Sequence, residues 1–262
     1  MDNIPLRYPV VLVHGIYAHD RKGRLKFWGR IPETLAKRGI QVFLGNTDAW
    51  GDVESNAAVL KETTEKTTLE TKKEKVNIIA HSKGGIDSRY LIWKYNFGNR
   101  IASLTTICTP HHGADIADLV DKHKIVHTKL SRKALKIFER LCGDANPDLY
   151  NVNHQLTTKN MEAFNKKVQM DSSVYYQSLY TTMNNAFDDW MFYYPYLYTQ
   201  KISGDNDGIV SEISAKWGNY TRKICSGISH AEIIDIKQKP ISGINIPGIY
   251  VDIVRDLGER GF

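Results

Sequence analysis

The chain has 262 residues, with 35 lysines and arginines against 29 aspartates and glutamates, a net charge of +6, 42% hydrophobic residues and three cysteines. That length suits one large α/β domain with a sizeable core, and the composition excludes collagen-like, low-complexity and disulfide-framework proteins. No apolar run approaches the ~18 residues of a membrane span, no signal peptide is expected at the N-terminus, and the basic residues are scattered among acids, so neither a transmembrane segment nor nucleic acid is expected.

Pro9-Val10-Val11-Leu12-Val13 is a continuous apolar run closed by His14-Gly15 and reads as a buried parallel strand. An amphipathic helix follows within residues 27–39, starting near Ile31 because of Pro32 and stopping at Gly39. A second short strand is expected over 40–44, a long surface helix over 52–72 and a third strand over 76–80. After it come a sharp turn at 81–85, a helix from Ile86 to about Tyr95, and a fourth strand over 101–107. This alternation predicts a doubly wound, mostly parallel sheet. Ligands of such sheets bind beyond the carboxyl ends of the strands, so His14, Ser82 and residues 109–113 are expected to share one mouth.

Ala80-His81-Ser82-Lys83-Gly84 has the small-x-Ser-x-Gly form between a strand and a helix. A nucleophilic serine on that strained turn needs small neighbours two positions away on each side, and the helix N-terminus behind it favours developing negative charge. A serine hydroxyl needs a histidine to take its proton and a carboxylate to orient the histidine. Residues 198–203 read as a strand running into Gly204-Asp205-Asn206-Asp207-Gly208, which offers Asp207 as the acid and Asp205 as its alternative. Ser229-His230-Ala231-Glu232 follows a short strand over 222–226 and offers His230 as the base. The order Ser82, Asp207, His230 is that of an α/β-hydrolase. His111 and His112 are alternative bases, His14 and His81 are expected to order loops, and His19, His123, His127 and His154 to be solvated. The backbone amides of Ile16 and Lys83 are the expected oxyanion donors. No HExxH or paired Cys/His spacing suggests catalytic zinc.

Several segments in order, Tyr8-Pro-Val-Val-Leu-Val-His-Gly-Ile16, Phe27-Trp-Gly-Arg-Ile-Pro32, Val76-Asn-Ile-Ile-Ala-His-Ser-Lys-Gly-Gly85, Ser88-Arg-Tyr90, Thr109-Pro-His-His-Gly113, Tyr175-Tyr176 and Asn206-Asp-Gly-Ile-Val210, resemble the bacterial true lipases of the Pseudomonas, Burkholderia and Proteus type. The resemblance implies an α/β-hydrolase fold and hydrolysis of triacylglycerols and similar long-chain esters. It also implies a mobile helical lid and a structural calcium ion, with no cofactor required for the chemistry. Ala80 stands where this group usually has glycine, a variant similar to Bacillus lipases. For calcium, Glu232 is the residue two positions after the histidine, and Asp188 or Asp189 would be the second acidic ligand; a hard oxygen site could use such a set. The compartment stays open between secretion without a cleaved signal peptide and the cytoplasm.

Residues 114–172 leave the sheet pattern and are expected to form the lid, or a permanently packed cap, with helices within 129–141 and over 160–168. The aromatic stretch from Phe187 to Tyr198 is expected to be core more than cleft. The function expected is serine-dependent hydrolysis of long-chain esters through an acyl-enzyme. The alternatives are a carboxylesterase for soluble short-chain esters and a non-catalytic binding protein on the same fold.

Overall fold

A computed structural model describes residues 3–16, 26–123, 144 and 147–262. Among the described residues, six parallel strands form one sheet in the order β2-β1-β3-β4-β5-β6. They are β1 (Val10–Val13), β2 (Val42–Leu44), β3 (Val76–His81), β4 (Ile101–Ile107), β5 (Tyr175–Thr182) and β6 (Tyr220–Ser226).

Apolar side chains on both faces explain the unbroken hydrophobic runs, because successive residues of a strand point to opposite sides. Val10 and Leu12 of β1 face α1 (Ile31–Ala36) and the C-terminal helix α8 (Ile246–Glu259), packing with Ile31, Leu35 and Tyr250. Val11 and Val13 face α2 (Val53–Thr71) and α3 (Lys83–Lys94), packing with Ala57, Leu60 and Ile86. Helix α2 starts where the Asp52 carboxylate accepts the Ser55 amide at 2.7 Å and ends at Lys72, in the left-handed region at φ 54°. Its inner face mixes Val53, Ala57 and Leu60 with the buried polar residues Asn56, Thr64, Thr67 and Thr68, so the surface helix packs on the core without being strongly apolar.

One expected strand is a helix, and one strand was not expected. Residues 198–203 are not a strand but the second half of helix α7 (Tyr193–Ser203). Tyrosines favour strands, but here Tyr196 and Thr199 are buried at helical spacing, and Pro195 sits in the first turn, where no backbone donor is required. The strand that leads toward the aspartate is β5, which lacks an apolar run: Gln177, Ser178, Thr181 and Thr182 are all buried within it. They are satisfied across the sheet, with Gln177 Nε2 donating to Thr105 Oγ1 at 2.8 Å and the Thr106 and Ser178 hydroxyls 2.9 Å apart.

Within residues 114–172 lie α4 (Asp115–Lys122), α5 (Leu149–Gln155) and α6 (Thr158–Lys167), which pack on one another, and α4 also packs on α7. The helix expected within 129–141 lies outside the described residues. Cys108 and Cys225 are free thiols, and Cys142 lies outside the described residues. Among the described residues, no helix is long and apolar enough to cross a membrane.

Candidate active site

The strand order turns at the boundary between β1 and β3, where the chain winds outward in both directions. A crevice opens at such a switch point beyond the strand ends. His14, Gly15 and Ile16 leave β1 there, and Ser82 leaves β3. Thr109, just after β4, joins them by donating its hydroxyl to the Ser82 carbonyl at 2.8 Å.

Ser82 has φ 54° and ψ −131°, a conformation that L-residues rarely hold and that lifts the side chain out of the strand. The turn is too tight for larger neighbours. A Cβ on Gly84 would lie 2.5 Å from the His14 carbonyl oxygen and 2.7 Å from that of Val13. A Cβ on Gly15 would lie 2.7 Å from Ser82 Cβ, so the two turns touch.

Ser82 Oγ is 2.9 Å from His230 Nε2, and His230 Nδ1 is 2.7 Å from Asp207 Oδ2. A carboxylate can only accept, so the imidazole proton sits on Nδ1 and Nε2 is free to accept from the serine hydroxyl. Asp207 is almost fully buried, and its Oδ1 accepts the amides of Ile209 and Val210 at 3.0 and 2.8 Å. The Asx turn that locally explains an aspartate here is therefore present together with the contact to His230. Asp205, the alternative acid, is exposed and lies 3.9 Å from Lys223.

The amide of Lys83 opens α3 and belongs to the first turn of that helix, whose amides have no acceptor within the helix. Ile16 follows the glycine that touches Ser82. The two expected oxyanion donors thus belong to adjoining turns. The Lys83 side chain points elsewhere: its ammonium is buried against Asp87, at 2.6 and 2.9 Å, and Asn56 Nδ2 donates to the same carboxylate at 3.0 Å. Burial raises the Asp87 pKa, against the pull of Lys83 and Asn56. This pair anchors the residue that follows the nucleophile.

The other histidines have separate duties. His111 is buried with Nδ1 3.1 Å from Arg89 Nη1 and Nε2 2.9 Å from the Thr106 hydroxyl, so both ring nitrogens are engaged away from Ser82. Arg89 stacks 3.8 Å above Trp217 and donates to Asn165 Oδ1, tying α6 to the core; burial lowers its pKa to about 9. His112 reaches the Lys216 carbonyl at 3.2 Å. His14 bridges the Gly15 carbonyl and Thr47. His123 is exposed and His154 faces Asp121 at 3.0 Å, while His19 and His127 lie outside the described residues.

His81 lies directly behind the base, its ring 4.6 Å from that of His230 and its Nε2 donating to the His230 carbonyl at 3.0 Å. Burial, with His230 and His14 nearby, holds its pKa well below the usual imidazole range. Burial does the same to His111, with Arg89 adding to it. The unfolded chain protonates both below about 6.5 while the folded chain does not, so unfolding takes up protons on acidification. Stability should fall as pH drops through that value, by up to about 1.4 kcal/mol per pH unit for each histidine. The urea midpoint should therefore be lower at about pH 5 than at about pH 7, and less so in His81→Gln; a midpoint unchanged between them would contradict this.

The loop carrying His230 is pinned by contacts that local sequence patterns do not reveal. The His230 amide donates to the Asp207 carbonyl at 2.8 Å. Asp235, in the left-handed region at φ 60°, receives Arg30 through two hydrogen bonds at 2.8 and 2.6 Å and also accepts the Arg30 amide. Gly29 is glycine because a Cβ there would run into the Asp235 carbonyl. Residues 30 and 235 are far apart in the chain, and only the Trp28-Gly29-Arg30 segment of the resemblance hinted at a role.

Of the acidic residues expected to hold calcium, Asp189 and Glu232 lie together and Asp188 stands apart. Asp188 accepts the amides of Asn184 and Asn185 in its own turn. Asp189 and Glu232 converge instead on Lys237, whose Nζ is 3.7 Å from Asp189 Oδ2 and 2.6 Å from Glu232 Oε1. Burial lowers the Lys237 pKa, but the hydrogen bond and charge of Glu232 and the charge of Asp189 outweigh it and leave it raised. The aromatic stretch divides rather than forming core: Phe192 and Tyr196 are buried, whereas Phe187, Trp190, Met191 and Tyr194 are exposed.

Several known proteins are similar to this chain. The family model of palmitoyl protein thioesterases matches residues 9–188. Triacylglycerol lipase 2 of Saccharomyces cerevisiae is 30% identical over 260 residues, covering 91% of this chain and 75% of the relative. A triacylglycerol lipase of Vibrio cholerae is 35% identical over 114 residues, 44% of this chain and 36% of its own length. Among solved structures, a Staphylococcus hyicus lipase superposes with a TM-score of 0.72 at 18% identity, covering 99% of this chain and 97% of the lipase. A metagenomic carboxyl esterase gives 0.78 at 18% identity, covering 99% and 78%. These last two carry the fold alone. Matched by the family model over most of its length and by a triacylglycerol lipase over nine tenths of it, the chain belongs to the lipase and palmitoyl thioesterase family of α/β-hydrolases and is an ester hydrolase.

Proposed function

We propose that this protein hydrolyses long-chain carboxylic esters, triacylglycerols foremost, through an acyl-enzyme on Ser82. The observation that carries the reading is the continuous chain Ser82 Oγ to His230 Nε2 and His230 Nδ1 to Asp207 Oδ2, at 2.9 and 2.7 Å, set at the mouth of the sheet. His230 takes the serine proton as Oγ attacks the ester carbonyl, and Asp207 holds the tautomer and stabilises the imidazolium. The carbonyl oxygen becomes an oxyanion facing the amides of Ile16 and Lys83, where losing one donor typically costs ~3 kcal/mol. His230 then protonates the departing alcohol. Water, activated by the same imidazole, releases the fatty acid and restores Ser82.

The preference for long acyl chains is supported by the apolar surface beside the base. The Phe192 ring meets the His230 ring edge-on at 6.4 Å, and Trp190, Met191 and Tyr194 next to it are more than half exposed. Exposed apolar clusters of that kind suit a lipid or a lipid-water interface, and the net charge of +6 favours anionic surfaces. A palmitoyl thioester would use the same acyl site with a thiol as leaving group, a reading favoured only by the family model. Hydrolysis rates on emulsified long-chain triacylglycerol, a dissolved short-chain ester and a palmitoyl thioester decide among these. The triacylglycerol is expected to be hydrolysed fastest; a clear preference for the dissolved short-chain ester would replace this reading with a soluble carboxylesterase.

A further inference from the structure

The calcium ion implied by the family resemblance does not fit the residues present. Calcium takes six to eight oxygen ligands at about 2.3–2.6 Å. Here the centre between Asp189 and Glu232 is reached by an ammonium, 2.6 Å from Glu232 Oε1, and a second cation beside it would be repelled. Asp188 is engaged with its own turn.

The same two carboxylates also bracket Ser229. Glu232 Oε2 accepts the Ser229 amide at 2.9 Å, and Asp189 Oδ2 accepts the Ser229 hydroxyl at 2.8 Å. Ser229 is fully buried and immediately precedes His230. Both carboxylate side chains are nearly inaccessible, at 7% and 1% exposure, so their mutual repulsion is screened little by water. Lys237 reaches them because the chain makes a 3-10 turn at Glu232–Ile234 and then bends back at Asp235.

We propose that Lys237 is a positioning residue for His230, a built-in cation that draws Asp189 and Glu232 together around Ser229 and makes a calcium ion unnecessary. The proposal rests on the reading of His230 as the general base. The backbone of Ser229 sets where the imidazole projects, and the serine-to-imidazole and imidazole-to-carboxylate contacts tolerate little displacement. With Lys237 removed, two buried carboxylates face each other without a counter-charge, and the loop either opens or takes up a proton. The anchor at Arg30 and Asp235 uses different residues and stays in place.

The test compares the full-length protein with Lys237→Met, which keeps the apolar stem, and Lys237→Arg, which keeps the charge. In the unmodified protein, excess EDTA is expected to leave both Tm and kcat unchanged. Lys237→Met should lose between about 10-fold and 100-fold in kcat with KM changed little, as displacement of a catalytic group without loss of substrate contacts requires. Lys237→Arg should recover most of that loss. Should Lys237→Met fold poorly, Glu232→Gln added to it removes one of the opposed charges and should raise Tm above that of the single variant.

A fall in Tm when EDTA is added to the unmodified protein would overturn the proposal, as would unaltered kcat in Lys237→Met, failure of Lys237→Arg to recover it, or a double variant no more stable than the single one. An active Ser82→Ala would instead undo the triad reading, leaving the EDTA and Tm results on Lys237 to stand or fall separately.

Discussion

Replacing Ser82 by alanine is expected to reduce kcat for ester hydrolysis by about 10⁵-fold to 10⁶-fold, or ~7–8 kcal/mol of transition-state stabilisation, while the protein stays folded. The hydroxyl is the atom that becomes covalently bonded to the acyl group, so its removal eliminates the acyl-enzyme route altogether. What remains is binding and the oxyanion amides acting on water. The fold should notice little, because the Ser82 hydroxyl's hydrogen bond is to His230, and the turn is held by the Ser82 amide on the Ile107 carbonyl and by Thr109 on the Ser82 carbonyl. Alanine fits a position where serine is already nearly buried. Steady-state kcat on a dissolved ester and Tm by calorimetry check both halves. Activity within about 10-fold of the starting protein, with Tm unchanged, would remove Ser82 from the mechanism.

Asp207→Asn should reduce kcat by about 10⁴-fold through a different cause. Asparagine is nearly the same shape, and its Oδ1 can still accept the Ile209 and Val210 amides that hold the turn at 3.0 and 2.8 Å. Its remaining atom, however, is then an NH₂ donor facing His230 Nδ1. The imidazole answers by carrying its proton on Nε2, where it points a hydrogen at Ser82 and cannot accept one. The variant should therefore keep its stability and substrate affinity and lose turnover. A loss of Tm comparable to that of a core substitution, with kcat of the remaining folded fraction intact, would make Asp207 a turn residue only.

Much of this was legible in the sequence, for identifiable reasons. Strands β1, β3 and β4 read clearly because both of their faces are buried: β1 is wholly apolar, and β3 and β4 keep apolar residues at most positions around their buried polar ones. Ser82 stood out because sterics at the turn demand the small residues Ala80 and Gly84, and Gly84 indeed abuts the His14 and Val13 carbonyls. Asp207 and His230 followed from chain order once Ser82 was fixed. Strand β5 escaped because its buried positions are polar and are satisfied by Thr105 and Thr106 of β4, a pairing that exists only in three dimensions. The second half of helix α7, residues 198–203, reads as a strand because the helical spacing of Tyr196 and Thr199 is visible only once their neighbours are known. The clamp on the histidine loop was silent for the same reason. Arg30 meets Asp235 across most of the chain, and Lys237 is one lysine among many until Asp189 and Glu232 are placed beside it.

Covalent labelling by a fluorophosphonate reports whether Ser82 is the nucleophile of an acyl-transfer site. The reagent phosphonylates a serine, with loss of fluoride, only when a neighbouring base and oxyanion donors activate it. One phosphonyl group per chain is expected, located on Ser82 by peptide mass spectrometry, with ester hydrolysis lost in proportion to labelling and no labelling of His230→Ala on the same timescale. Full hydrolytic activity in protein labelled at Ser82, or loss of activity with the label on a different residue, would contradict it.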